Sequence, residues 1–297
     1  LGLNGSKGVA TYTSERITPA DLSGVATSDV KINGQNFLSA TLADISASTE
    51  AAGAIADAIN LNTGVHGAVA TAFNTVDSAV QGSFSMAGTF TINAQTVAIS
   101  TSKQELVDNI NLLVNGVQAR LNGDDTFTLF NDDGGEIIVA GARAVDVGLT
   151  IDTYEGFVAL ENLDGSAVSI EAGNKANGYG SSAAGTMTDI AAFGFNQTSR
   201  DGKSIEGAIV TTNALALTDE VTINDVKIGA SNLDSAASKA EAINALTSEH
   251  GVTATATTTV FLDLDFSKAA TDTSFEINGT AITIADDDNI KDVADII

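Results

Sequence analysis

The sequence predicts an α+β fold of mostly antiparallel β modules, each a β-hairpin packed on one helix with a returning strand, repeated in tandem. Three observations support this prediction. Four apolar runs are interrupted by an asparagine and one further residue, a pattern favoured in two-residue hairpin loops. A segment with apolar residues at helical spacing follows each run, and in three cases a glycine then begins a strand-like stretch. The recurrence indicates an array of small modules.

The first module spans about residues 26–85. A two-residue turn at Asn33-Gly34 places Val30 opposite Phe37. The helix is predicted at about 49–62, and its apolar stripe consists of Ala52, Ile55, Ala56 and Ile59. Residues 67–72 are predicted as the returning strand.

The second module spans about residues 86–171. Its hairpin turn at Asn93-Ala94 places Phe90 opposite Val97, and residues 102–105 have the pattern of a capping box. The helical stripe is Leu106, Ile110, Leu113 and Val114, and residues 116–121 return as a strand. Two further hairpins are then predicted, one joining residues 126–130 to 136–139 and one joining 157–160 to 167–170.

The third module, at about 218–266, is the clearest. A loop at Asn224-Asp225 places the apolar residues of 221–228 on one face, and residues 251–256 resemble the first returning strand. The fourth module, at about 267–297, has its turn at Asn278-Gly279. We expect its helix to continue beyond residue 297, because the hairpin-to-helix spacing of the third module would place an asparagine there.

Each complete module therefore has one Ile-Asn pair in its hairpin and a second in its helix. The pairs are Ile32-Asn33 and Ile59-Asn60, Ile92-Asn93 and Ile110-Asn111, Ile223-Asn224 and Ile243-Asn244, with Ile277-Asn278 in the fourth hairpin. We interpret the hairpin asparagines as turn residues that adopt positive φ. The helix asparagines are interpreted as left-handed or capping residues at helix C-termini.

A longer period of about 190 residues is superimposed on the modules, because residues 1–8 resemble residues 193–202. It predicts a first repeat unit at 1–192, whose last part, 172–192, is a loose connector rich in Gly, Ser, Ala and Asn. A second, truncated unit is predicted at 193–297.

Composition excludes several classes of function. The net charge of −25 and the pI of about 4.1 disfavour binding to nucleic acid or to an anionic membrane surface. The chain has no cysteine, so it has neither disulfides nor thiolate metal sites. No apolar run reaches the roughly 20 residues of a membrane span.

Candidate reactive residues are few. The two histidines, His66 and His250, both precede a glycine at the same repeat position, which favours a cation at each helix C-terminus over catalysis or metal binding. The acidic clusters at 124–125, 132–133 and 286–288 lack the spacing of a calcium loop, although weak surface calcium binding stays open. We predict no catalytic residue, no metal site, no cofactor and no enzyme activity.

The hairpin and helix Ile-Asn pairs, followed by a Gly-Val strand, resemble the flagellin hook IN motif of bacterial flagellins. The resemblance covers over half of the chain, most closely residues 221–256, then 275–297 and 30–72. It implies the surface-exposed central region of a filament subunit, located outside the cell in the flagellum. The implied partners are other flagellin subunits, bound through terminal helical regions absent from this sequence, together with lateral contacts between outer domains.

The resemblance also implies O-glycosylation of exposed hydroxyls, for which Ser181 and Ser182 are the candidates. Two alternatives remain open at this level. Hook-associated and filament-capping proteins can carry the same motif, and an extracellular adhesin or surface-layer array would have a similar composition.

Overall fold

The computed structural model describes residues 11–20, 22–80, 84–173, 185–199, 202, 204–207, 210, 213–257, 273–285 and 290–297. They form two compact units, the first containing the described residues up to 207 and the second those from 210 onward. Both units combine helices with antiparallel strands. The predicted α+β class is therefore confirmed.

The helices and strands of the first unit lie as follows. They are β1 (Tyr12–Thr13), β2 (Val30–Ile32), β3 (Gln35–Asn36), α1 (Ala51–Asn60), α2 (Thr63–His66), β4 (Ala68–Asp77), β5 (Phe90–Ile92), β6 (Gln95–Val97), α3 (Lys103–Leu113), β7 (Gln118–Leu121), β8 (Phe127–Asn131), β9 (Ile137–Ala140), β10 (Asp152–Tyr154), β11 (Phe157–Asn162), β12 (Ile170–Ala172) and α4 (Met187–Ala192). The second unit contains β13 (Thr222–Ile223), β14 (Val226–Lys227), α5 (Ala236–Asn244), α6 (Thr247–His250), β15 (Thr273–Ile277), β16 (Thr280–Ile284) and α7 (Ile290–Ile296).

The four predicted hairpins form with the predicted register. Phe90 pairs with Val97, Ile223 with Val226, and Phe275 with Ile282. In the first hairpin, the Phe37 amide donates to the Val30 carbonyl. The register follows from two-residue loops whose central residues all have positive φ, the backbone geometry of a type I′ turn.

The described strands of the first unit form three sheets around two apolar cores. The sheet orders are β1-β11-β4-β8-β7, β10-β9-β5-β6 and β12-β2-β3. Helix α1 covers the first core with Ala52, Ile55, Ala56 and Ile59, all buried as the stripe predicts. Helix α3 covers the second core with Leu106, Val107 and Ile110.

Two details of α3 differ from the prediction. Leu113 is 42% exposed, because the helix ends there and Val114, in an extended conformation, turns into the core instead. The Ser102 hydroxyl accepts the Glu105 amide as a cap should, but the Glu105 carboxylate accepts the amide and hydroxyl of Thr101 rather than the Ser102 amide. The reciprocal half of the capping box is therefore displaced by one residue.

The predicted hairpins at 126–139 and 157–170 are wrong. β8 pairs with β4 and β7, whereas β9 pairs with β5 and β10 in another sheet. Similarly, β11 pairs with β1 and β4, whereas β12 pairs with β2. Each turn forms an arch, because the two strands lie in facing sheets and pack their side chains across one core.

These arches also change the predicted boundaries. Strands β11 and β12, assigned to a second module at 86–171, complete the core of the first module. The stretch 172–192, predicted as a loose connector, contains helix α4, and Ile190 is buried in that same core. The Phe193 ring packs against Phe37 in a tilted arrangement with centroids 4.9 Å apart, so the first compact unit continues past the predicted repeat boundary at 192.

The second unit contains fewer paired strands. β13 and β14 form one two-stranded sheet, and β15 and β16 form another. Residues 251–256, predicted as a returning strand, pair with no strand in the described part of the unit. The described residues of the third module therefore show the hairpin and the helix without the returning strand of the first module.

Candidate functional site

The repeated asparagines and histidines form a recurring polar cluster, which we name the Asn–His clamp. In the first module it consists of Asn33, Asn60 and His66, and in the third of Asn224, Asn244 and His250. The hairpin asparagines have φ of 52° at Asn33 and 48° at Asn224. They therefore have the turn role predicted from the sequence.

The hairpin asparagine also joins its turn to the end of the helical segment. The Asn33 Nδ2 donates to the His66 carbonyl at 2.8 Å, and the Asn224 Nδ2 donates to the His250 carbonyl at 2.7 Å. In the first module the Asn33 Oδ1 further accepts the Ser169 amide at 3.1 Å. A residue chosen for its turn conformation thus also links elements that are distant in sequence.

The helix asparagines are neither left-handed residues nor caps of the helix, which corrects the prediction. Asn60 is the last residue of α1, and its side-chain amide both donates to and accepts from the backbone of Ala70, at 2.8 Å each. Asn244 pairs in the same way with Ala254, at 2.8 and 2.7 Å. An Asn side-chain amide has one acceptor and two donors, so it can replace the backbone of a missing strand partner.

The histidines complete the clamp. His66 is 3% exposed, its Nδ1 accepts the Ala68 amide at 3.1 Å, and its Nε2 lies 3.2 Å from the Ile59 carbonyl. His250 is also 3% exposed and makes the equivalent contacts, at 3.0 Å to the Val252 amide and 2.9 Å to the Ile243 carbonyl. Both rings therefore bridge the end of a helix to the start of the next segment.

The clamp geometry corrects the prediction that each histidine is a cation. An Nδ1 that accepts a backbone amide carries no proton, so the hydrogen lies on Nε2 and the ring is neutral. Burial lowers the pKa of His66, which favours the same neutral form, although the Ile59 carbonyl opposes this shift. The ring acts through two hydrogen bonds rather than through charge.

The second module has a reduced clamp. Asn93 has positive φ and bonds to the Glu136 carbonyl and the Ile138 amide, and Asn111 pairs with both backbone groups of Ala119. It has no histidine, and Gln95 bonds to the backbone of Asn115 instead, at 3.1 and 3.4 Å. The asparagine pairs are thus common to the three complete modules, and the histidine is an addition in two of them.

An open groove of about 590 Å³ borders the first clamp and is lined by Asn33, His66, Asn162, Asp164 and Glu171. The side chains of Asn33, His66, Asn162 and Asp164 already have partners. The Asn162 Nδ2 donates to Ser166 and to the Ala167 carbonyl, and hydrogen bonds from Ser166 lower the pKa of Asp164. The groove therefore presents polar groups that maintain the local turn.

The acidic pair at 124–125 forms hydrogen bonds within its turn and one ion pair. Hydrogen bonds from the hydroxyl and amide of Thr126 lower the pKa of Asp124, and Asp125 accepts Lys103 Nζ at 2.7 Å. No group of three His, Cys, Asp or Glu side chains suited to a metal ion is found among the described residues. The acidic run at 286–288 and the glycosylation candidates Ser181 and Ser182 lie outside the described residues.

Sequence reasoning missed a second polar cluster, at Asn74 and Arg16. Asn74 is fully buried and donates to the carbonyls of Gly135 and Tyr154 at 2.9 and 2.7 Å. Arg16 donates to the Asn74 Oδ1 at 2.9 Å, and its guanidinium lies 4.5 Å from the centre of the Phe157 ring. Asn74 falls on the inward side of a strand that alternates inward and outward residues, which was a readable signal of a buried polar residue.

In the part of the chain that the structure describes, no helix has the length and apolarity needed to cross a membrane. A comparison with models of known protein families finds no match, and a comparison with curated proteins finds none either.

Proposed function

We propose that the chain is a structural protein that forms outer, solvent-exposed domains of a bacterial flagellar filament subunit. The observation that supports this function is the repeated Asn–His clamp. The clamp recurs with nearly equal distances in two modules that are 184 residues apart at His66 and His250. Repetition of one geometry is expected of a scaffold, in which each module needs the same internal contacts.

The polar groups of the clamp are also engaged in holding the fold. His66 and His250 use both ring nitrogens, and the helix asparagines use both ends of their side-chain amides. Surface charge supports the same function, because a net charge of −25 favours solvation of projecting domains. The domain would thus thicken and solvate the filament surface.

Immunogold electron microscopy tests this proposal. An antibody raised against the 297-residue chain is applied to intact cells of the source organism. We expect gold along the whole length of the flagellar filament and none on cells from which the gene has been deleted. Gold restricted to the filament tip or to the hook junction would instead identify a capping or hook-associated protein. Gold distributed over the cell envelope would identify an adhesin or surface-layer array.

Removal of the coding region for these residues provides a second test. Because the proposed domains project outward, the shortened subunit should still assemble, and the filament should be thinner in negative-stain images. Complete loss of filaments with a soluble, folded subunit would contradict an outer position. Deletion in a strain that expresses a second, unmodified copy of the gene serves as the control for expression and export.

A further inference from the structure

The first module shows what a finished module contains. Its hairpin is extended by β12, with Ile170 opposite Ile32 and Ala172 opposite Val30. Its returning strand β4 is extended by β11, with Val158 opposite Ala72 and Leu160 opposite Ala70. Both added strands come from one arch, residues 157–172, which closes the core between the two sheets.

In the described residues, the third module has the same acceptor positions but no strand added at them. In the described part of the second unit, nothing pairs with the outer edge of β13 or with residues 251–256. At the hairpin turn, the Asn33 amide donates to the Ser169 carbonyl and its Oδ1 accepts the Ser169 amide. The corresponding amide and Oδ1 of Asn224 have no partner among the described residues.

Apolar side chains next to these open edges are more exposed in the third module than in the first. Val30 is 2% exposed in the first module, whereas Val221 at the equivalent position is 41% exposed. Ala68 is fully buried, whereas its equivalent Val252 is 38% exposed. The hairpin residue on the helix side is unaffected, since Ile228 is 1% exposed, like Phe37. The helix is also less covered, since Ala240 and Ile243 are half-buried where their equivalents Ala56 and Ile59 are buried. Exposure therefore rises around the core that the arch closes in the first module.

Backbone groups on the returning segment show which edge is open. Successive residues of a strand direct their amides to opposite edges. His250 and Asn244 already occupy the amides of Val252 and Ala254, on the edge next to the helix. The amides of Thr253 and Thr255 therefore lie on the other edge, where β11 binds β4 in the first unit.

We propose that the third module is an acceptor for an extended polypeptide segment with the chemistry of residues 157–172. The segment binds as an arch of two antiparallel strands and completes the half-open core. Its register follows from the first module. The residue equivalent to Leu160 lies opposite Ala254, the one equivalent to Ile170 lies opposite Ile223, and the one equivalent to Ser169 bonds to Asn224.

The occupant is chosen by shape and hydrogen bonding. An arch presents two strands at the spacing of the two open edges, whereas a helix cannot pair with either edge. Alternating apolar residues on both strands match the exposed faces of Val221 and Val252. Lys239 stands where Ile55 lies in the first module, so the third core has fewer apolar side chains to offer the segment.

Amide hydrogen exchange on the full 297-residue chain, followed by NMR, tests the proposal. The probe is a synthetic peptide with the sequence of residues 157–172. At saturating peptide, the amides of Thr253, Thr255 and Asn224 should exchange at least about tenfold more slowly. The amides of Val252 and Ala254, which the clamp already engages, serve as internal references and should change little.

A second peptide carries Val158→Asn, Leu160→Asn and Ile170→Asn, which places polar groups on the faces that enter the core. It should give no slowing. The proposal is overturned if the unmodified peptide at millimolar concentration leaves exchange at Thr253 and Thr255 unchanged, or if both peptides act equally. Slow exchange at these two amides in the peptide-free chain would also overturn it, because the edge would then already be covered.

Discussion

Three helix asparagines, Asn60, Asn111 and Asn244, form hydrogen bonds that a neighbouring strand would otherwise supply. Each binds both the amide and the carbonyl of one strand residue, as a backbone partner in an antiparallel pair would. Asn60 bonds to the edge of β4 at Ala70, ahead of the residues 74–77 that pair with β8 on that edge. Asn111 bonds to β7, which is the edge strand of its sheet. The side chains thus satisfy backbone groups that would otherwise be left at a sheet edge.

The first prediction concerns this pairing. Asn60→Ala should lower the free energy of unfolding of the first unit by about 1–3 kcal/mol, because it leaves two backbone groups of Ala70 without partners. Urea unfolding followed by tyrosine near-UV circular dichroism measures the effect. Asn115→Ala is the matched control, since that side chain is exposed and makes no hydrogen bond in the described structure; its effect should stay within about 0.5 kcal/mol. Equal losses in the two variants would refute the pairing.

The second prediction concerns pH. Burial lowers the pKa of His66 in the folded state below the unfolded value of about 6.5. Above that pH the His66 ring is neutral in both the folded and the unfolded state. Below it, the ring binds a proton in the unfolded state but not in the folded state. Stability should therefore fall as the pH is lowered from 7 to 5.5, above the range in which ordinary carboxyl groups titrate.

Urea midpoints of the first unit at pH 7, 6 and 5.5 measure this dependence. His66→Gln removes the titrating group, so the variant should be less stable at pH 7 but lose less stability on acidification. A variant with the same slope as the unchanged chain would show that the dependence arises elsewhere. A midpoint that rises on acidification would show that His66 is a cation in the folded state.

The sequence predicts the role of a residue correctly where only one backbone conformation explains why that residue type is present. The hairpin asparagines were predicted as positive-φ residues because the alternatives are few, and the structure confirms them. The helix asparagines and the histidines were misjudged because their partners, such as Ala70 and Ala254, are reached only after the chain has turned back. Hydrogen bonds to another element depend on tertiary contacts that a local pattern does not contain.

At the level of elements, local signals predicted the hairpins and helices α1 and α3 well. The arches at 126–139 and 157–170 were misread, because a turn sequence followed by an apolar run is the same in a hairpin and in an arch. The difference lies in whether the second strand bonds to the first or faces it across a core. Leu129 and Ile137, or Leu160 and Ile170, share a core but not a sheet. Only the full set of strand partners decides between the two.

The third prediction concerns the hairpin loops. Ala94 occupies the second loop position of the second hairpin with φ of 60°, where the first hairpin has Gly34 at 76°. A side chain in the left-handed region costs about 1 kcal/mol relative to glycine. Ala94→Gly should therefore raise the free energy of unfolding of the first unit by about 0.5–1 kcal/mol, measured by urea denaturation.

Gly34→Ala is the reciprocal variant and should destabilise the same unit by a similar amount. No backbone blocks the new methyl group at that position, since the nearest heavy atom is a side-chain oxygen of Glu171 at 3.8 Å. A destabilising Ala94→Gly would show that the loop depends on reduced freedom of the unfolded chain more than on strain in the turn. Opposite signs in the two variants support the conformational account.

At the scale of the molecule, strand β4 connects the two cores of the first unit. Ala68, Ala70 and Ala72 point into the first core, and Val76 points into the second. Asn74 lies between them and ties the strand to the carbonyls of Gly135 and Tyr154. Arg16 donates to two groups on the strand itself, the Asn74 Oδ1 and the Thr75 carbonyl. The two cores therefore share one strand, which the division of the sequence into modules did not predict.

The last prediction follows from this shared strand. We expect scanning calorimetry of the chain to show two transitions, one for each compact unit, with both cores of the first unit melting together. Val158→Ala in the first core and Val147→Ala in the second, both buried, should lower the same transition by several degrees. Ile282→Ala, in the fourth hairpin, should lower only the other transition. If Val158→Ala and Val147→Ala lowered the temperatures of two different transitions, the modules of the first unit would unfold independently. The shared strand β4 would then not couple the unfolding of the two cores.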